Sequence, residues 1–182
     1  MAIRPIVLIG DEVLRQKARR VRDFDANLHS LLDDMRETLK DAEGVGLAAP
    51  QVGVSQRALI VQLPDDEEEY GPQAGVFYEI VNPEIVKSAR EQVEGVEACL
   101  SIPGYFGTVD RSQSVVVRGQ DRNGKEFRVK AYDWLARVFQ HEIDHLDGIL
   151  YIDLTDDVWK AGEEPPVRSS AVKAPSGQAP AD

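Results

Sequence analysis

The sequence is poor in residues that staple or anchor a chain. It has one cysteine, Cys99, among 182 residues, so a disulfide framework within the chain is excluded. The thiol is then a buried hydrophobe, a reactive group or a metal ligand. No stretch approaches the ~18 consecutive apolar residues of a membrane-spanning helix. The opening run MAIRPIVLIGDEVL meets charge too early to read as a secretory signal. The expected compartment is the reducing cytoplasm, and no membrane partner is expected. Positive charge is scarce too: 21 Lys and Arg stand against 32 Asp and Glu, a net charge of −11. Direct nucleic-acid binding is not expected of such a surface. The one basic cluster, Arg15 to Arg22, reads as a solvated face beside an expected N-terminal strand.

What is present divides into a body and a tail. Residues 1–155 have the composition of one domain, and 156–182 turn rich in Pro, Ser and Ala, as in a flexible tail. In FDANLHSLLDDMRETLKDAEG, Leu28, Leu31, Leu32, Met35 and Leu39 recur at helical spacing, with Gly44 as a stop. His29 in this helix has polar neighbours and reads as exposed rather than ligating. Arg57–Leu63 and VFYEIVNPEIV have strand character, separated by an acidic loop, Pro64–Gly75. VVVRGQDRNGKEFRVKA reads as a hairpin turning at Asn123-Gly124. YDWLARVFQHEIDHLDG returns to helical spacing, with Asp133 as expected N-cap and Gly148 as stop. Strands without regular βα alternation imply α+β: antiparallel or mixed sheets packed around this C-terminal helix, with a second long helix near the N-terminus.

The C-terminal helix carries QHEIDHLDG. His141 and His145 lie at i and i+4 on one helical face, a spacing that grips one metal ion, and Glu142 beside the first can move a proton. A catalytic site of this type takes a third protein ligand and leaves one position open. Downstream, Tyr151 stands where a third histidine would complete one protease pattern, and the later acids, Glu163 and Glu164, adjoin prolines. Upstream stands the chain's one soft ligand, Cys99, in VEACLSIPG. A third stretch, GVGLAAPQVG, places small residues before Gln51, whose amide could reach a reacting oxygen.

GVGLAAPQ, EACLS and QHEIDHLDG resemble, in order and spacing, the three signature motifs of the peptide deformylases, over about Ile3 to Asp153. The resemblance implies hydrolysis of the formyl group from the N-terminal formylmethionine of nascent chains at the ribosome. It implies one divalent metal, Fe²⁺ with Zn²⁺, Ni²⁺ or Co²⁺ as substitutes, held by Cys99, His141 and His145. Glu142 is the implied general acid/base, Gln51 and the Leu100 N–H the oxyanion donors, and Gly46 the glycine beside which substrate backbone runs. One departure is Ala98, where the family pattern has glycine; a positive φ there would strain the site. Another is the tail, which lacks the basic helix with which some relatives dock on the ribosome. Helical geometry adds a pocket: Trp134 and Val138 fall on the face of His141, towards the N-terminus, with Val45 as an opposite wall for a methionine side chain. The competing readings are another HExxH metallopeptidase or amidase, and a non-catalytic metal-binding relative.

Overall fold

The computed structural model describes residues 2–166. In chain order it contains a 3₁₀ turn at Glu12–Arg15, α1 (Ala26–Asp41), β1 (Gly46–Ala48), a 3₁₀ turn at Ala49–Val52, β2 (Ala58–Gln62) and a one-turn α2 (Glu67–Tyr70). There follow β3 (Phe77–Ser88), β4 (Gln92–Cys99), β5 (Ile102–Ser112), β6 (Ser114–Gln120), β7 (Glu126–Tyr132), α3 (Asp133–Asp147) and β8 (Val158–Lys160). The strands form a five-stranded sheet, β1-β2-β3-β6-β7, and a three-stranded sheet, β4-β5-β8. Every paired strand is antiparallel to its neighbour.

The larger sheet is covered on both faces, which explains why the first four residues of β2, Ala58 to Val61, are all apolar and buried. Its Leu59 and Val61 pack in the cluster containing Leu135, Phe139 and Ile143 of α3, while Ala58 and Ile60 pack in the cluster containing Leu28, Leu32 and Met35 of α1. Side chains alternate across a strand, so two helices claim alternate residues of the same four. The smaller sheet holds a third cluster with Cys99, Ile102, Val109, Leu150 and Tyr151.

Several local expectations need correction. Residues before α1 form no strand, only an isolated bridge between Arg19 and Gln56. The basic cluster is a solvated face in which Arg15 pairs with Asp153 and Lys17 with Asp147. The acidic loop contains α2, capped by the Asp66 carboxylate. Asp133 is not the N-cap of α3: Tyr132 takes that place, and Asp133 is the first helical residue with φ 50°. The cause is continuity. Tyr132 still pairs with Ser114 in the sheet, and the Asp133 N–H donates to the Gln113 carbonyl, so no loop remains in which a cap can form. Gly148 does end α3, at φ 78°. The hairpin loop spans 121–125, with the Asp121 carboxylate accepting from the N–H groups of Asn123 and Lys125. The tail boundary at 155 cuts too early, because Val158–Lys160 pairs with Tyr105–Gly107. The rest of the expected tail, from 167 onward, lies outside the described residues.

Asn82 ties the N-terminal segment to the larger sheet. It sits at a register break of β3 with φ 52°, accepts from the Val21 N–H at 2.8 Å, and donates to the Val21 carbonyl at 3.0 Å. Asparagine tolerates the left-handed region and supplies both partners. Asn82→Ala should therefore cost about 2–4 kcal/mol, from two lost buried hydrogen bonds and backbone strain. Asn82→Gly relieves the strain alone and should recover about 1 kcal/mol of that loss in urea unfolding.

Candidate metal centre and cleft

The centre lies between α3 and the smaller sheet. His141 and His145 come from α3, and their ring centroids are 5.0 Å apart. Cys99 is the last residue of β4, at the point where the β4–β5 register shifts. Its Sγ lies 3.2 Å from His145 Nε2, and one ligand atom from each of the three residues falls within 4.8 Å of the others. His145 is 0 %, Cys99 8 % and His141 9 % exposed.

Sequence reasoning missed the residues that orient this group. His141 Nδ1 lies 2.9 Å from Glu97 Oε2, which fixes the tautomer and leaves Nε2 facing the centre. Glu97 in turn accepts from Arg111 Nε at 2.8 Å, Arg111 Nη2 at 3.0 Å and Arg137 Nη1 at 2.9 Å. Arg111 also pairs with Asp144. The ring of His145 has no such partner: its Nδ1 is buried without a hydrogen bond. Two signals in the sequence pointed to Glu97: it opens the EACLS motif, and it stands two residues before Cys99, which puts both on the same side of a strand.

Burial disfavours the Glu97 carboxylate, but hydrogen bonds from His141 and Arg111 overcome it and hold its pKa at about 2. Burial also opposes a charged His141, yet the Cys99 sulfur and Glu97 carry it up to about 10 when the site holds no cation. Burial pushes Glu142 up to about 7 and His145 well below the usual imidazole range. A divalent ion reverses this balance, since it favours thiolate, carboxylate and neutral imidazole.

The donor set fits such an ion. One sulfur and two imidazole nitrogens converge, as in a soft-to-borderline transition-metal site. Beside them Glu142 is 4 % exposed, and its Oε2 is buried with no hydrogen-bond partner. Gly46 makes room for this carboxylate: a Cβ there would lie 2.4 Å from Glu142 Oε1. Gln51 is held by its Oε1, which accepts from the Ala48 N–H at 2.8 Å. Its Nε2 therefore faces inward, 3.5 Å from Cys99 Sγ and 3.4 Å from Ser101 Oγ.

A cleft of about 560 Å³ opens over these groups. It brings together every residue expected of the site other than His145, which lies beneath it: Val45, Gly46, Gln51, Cys99, Leu100, Trp134, Val138, His141 and Glu142 all line it. Trp134, 36 % exposed, stands at the rim, and Val138 is buried deeper on the same helix. Ala98 also lines the cleft, and it lies in β4 without a positive φ, so its methyl group carries no backbone strain. His29 is remote from the centre and contacts the Arg122 carbonyl.

Fold and site together define a mononuclear metal hydrolase: a buried Cys-His-His group, an unpartnered carboxylate and an apolar cleft on a compact α+β body. Residues 3–160 match the family model described as polypeptide deformylase. A peptide deformylase of Thermomicrobium roseum is 50 % identical over 157 residues, covering 86 % of this chain and 88 % of that one. The structure of a peptide deformylase from Ehrlichia chaffeensis in complex with actinonin is 42 % identical with TM-score 0.80, covering 85 % of this chain and 90 % of that one. A Met-Ala-Ser-bound class I type b peptide deformylase from Acinetobacter baumannii is 33 % identical with TM-score 0.78, covering 85 % and 99 %. The chain belongs to the polypeptide deformylase family.

A metal ion at His141 Nε2 would displace the proton that the Cys99 sulfur favours on that nitrogen, while the Nδ1 proton stays with Glu97. Affinity for Zn²⁺ should therefore rise with pH between 6 and 8, by about tenfold per unit for one released proton. Glu97→Gln should weaken affinity about 10- to 100-fold and flatten that slope, read by chelator competition across the pH range.

Proposed function

We propose that this protein hydrolyses the N-formyl group from the formylmethionine terminus of nascent polypeptides, releasing formate. The observation that carries the reading is the unpartnered Glu142 carboxylate beside the Cys99-His141-His145 group at the floor of an apolar cleft. A divalent ion on those three ligands, Fe²⁺ in this reading with Zn²⁺, Ni²⁺ or Co²⁺ as substitutes, supplies Lewis-acid activation of water and of the formyl carbonyl. Residues 1–155, extended by β8 to 160, form the catalytic unit. The cytoplasm is the proposed compartment and the chain emerging from the ribosome the proposed partner, without nucleic-acid or membrane binding. No helix among the described residues is long and apolar enough to cross a membrane.

The chain's own groups divide the work. Glu142 accepts the proton of the attacking water; burial, which lifts its pKa to about 7, makes it a fitting base near neutrality. It then returns the proton to the leaving amine nitrogen. Gln51 Nε2 and the Leu100 N–H donate to the formyl oxygen as negative charge grows on it, each worth about 10²–10³ in rate. The Ala48 bond to Gln51 Oε1 keeps the amide from rotating away, so little reorganisation is needed as charge develops. Substrate backbone runs beside Gly46, and the methionine side chain lies among Val45, Trp134 and Val138. The Met-Ala-Ser complex of a relative supports a peptide in this cleft.

Formate release from formyl-Met-Ala-Ser tests the reading. Glu142→Ala should lower kcat by at least about 10²–10⁴-fold while the protein keeps near one equivalent of metal. A metal-free variant would make Glu142 a ligand instead. Val138→Asp should lower kcat/KM for formyl-Met relative to formyl-Ala peptides by about 10- to 200-fold, with metal content intact. An unchanged ratio would place the methionine side chain elsewhere.

A further inference from the structure

The metal ligands come from two separate layers. His141 and His145 ride on α3, which packs on the larger sheet, while Cys99 ends β4 in the smaller one. Three ligand atoms within 4.8 Å demand that these layers keep one spacing and one register. Apolar contact alone is non-directional and tolerates sliding.

One face of α3 carries a polar stripe instead. Arg137, Gln140, His141 and Asp144 fall at i, i+3, i+4 and i+7, and all four bond to β4 or β5 or to side chains they carry. Gln140 exchanges two hydrogen bonds with the Ser112 backbone, at 3.0 and 2.9 Å. Arg137 does more than any other member. Its Nη2 donates to the Val93 carbonyl at 2.6 Å, and its Nη1 reaches the Val109 carbonyl at 2.9 Å, Glu97 Oε1 at 2.9 Å and the Gly95 carbonyl at 3.3 Å. It is 5 % exposed. The guanidinium rests directly on Gly95, where a Cβ would lie 2.7 Å from Arg137 Cζ. Only a residue without a side chain leaves that space, although Gly95 has no positive φ to require glycine.

We propose that Arg137 and Gly95 form a clamp that positions β4 on α3, so that Cys99 meets the two histidines at ligand distance. Arg137 is a positioning residue: it acts through Glu97 and the β4 and β5 backbone. The planar fork matters, because several acceptors in a fixed arrangement cannot be met by a point charge. This inference rests on Cys99, His141 and His145 being the metal ligands.

The test compares Arg137→Met, Gly95→Ala and the double variant with the wild type, all metal-loaded. Two quantities are read: Zn²⁺ affinity by chelator competition, and the thiolate-to-metal absorption of the Co²⁺-substituted protein, which reports Cys99 ligation. A wild type without that band would refute the ligand assignment itself, separately from the clamp. Each single variant should lose about 10- to 100-fold in affinity and weaken or shift the band. The double variant should lose no more than the worse single one, since both remove the same contact. Arg137→Lys should stay close to Arg137→Met. Should Arg137→Met fail to fold, Gly95→Ala, which keeps every other side chain, carries the same reading. The proposal is overturned by folded variants with wild-type affinity and band, by losses that add in the double variant, or by full rescue with lysine.

Discussion

Everything at the centre depends on the Glu97 carboxylate. It is 5 % exposed, yet it stays ionised because two arginines and an imidazole surround it. The charges balance locally: Glu97 and Asp144 face Arg111 and Arg137. Such a buried array adds little net stability over well-packed apolar groups of equal volume, because desolvation consumes most of the Coulombic gain. What it supplies is geometry. An ion pair in a dry setting has one good arrangement, and removing a single member leaves a buried charge uncompensated at about 3–5 kcal/mol. Glu97 therefore locks β4 to α3 through charge, and it turns His141 so that Nε2 looks inward.

Glu142 shows the opposite economy. It has no cation at hydrogen-bond distance, and Glu97 and Asp144 add to the burial that raises its pKa. Two carboxylates at one centre, one from β4 and one from α3, thus end with very different proton affinities, about 2 for Glu97 and about 7 for Glu142. The difference follows from the partners each one meets, since both are buried. The satisfied carboxylate holds the scaffold, and the unsatisfied one is the group to which the proposed function gives the proton transfer. Gly46 and Gln51 fit the same division: one gives Glu142 room, and the other has its oxygen occupied so that its N–H₂ faces the cleft.

How much of this could be read from the residues varied with periodicity. The two histidines were legible because i, i+4 on an apolar-backed helix has one geometric meaning, and Cys99 because no other thiol competes. Trp134 and Val138 were expected at the cleft from helix direction, and Val45 from its place between two glycines in GVGLAAPQ; all three line it. Arg137 was not legible: an arginine four residues before a histidine on an amphipathic helix looks like a solvated face, and only the neighbouring sheet shows that the polar stripe is buried. Glu97 was hidden for a related reason. It sits in a stretch of glutamates and glycines, and β4 exposes most of its other residues, so 92–99 lacks the apolar alternation that betrays a strand. Asp133 misled because its capping chemistry was right but β7 runs straight into α3, leaving no turn for it to cap.

A metal held by Cys99, His141 and His145 would couple metal to fold, because the three residues come from two layers. A ligand that binds only the native arrangement stabilises it by RT ln(1 + [L]/Kd), so an ion on Cys99, His141 and His145 also staples the smaller sheet to α3. The polar stripe closes the same gap without the ion. If the ion were the only staple, β4 would be free to drift whenever the site emptied, and each reloading would have to order the strand again at about 1–2 kcal/mol per residue fixed. With Arg137, Gln140, Glu97 and Asp144 already joined to their partners, that ordering cost is met during folding. An ion binding there would find its sulfur and two nitrogens in place, and less of its binding energy would be lost to ordering the strand.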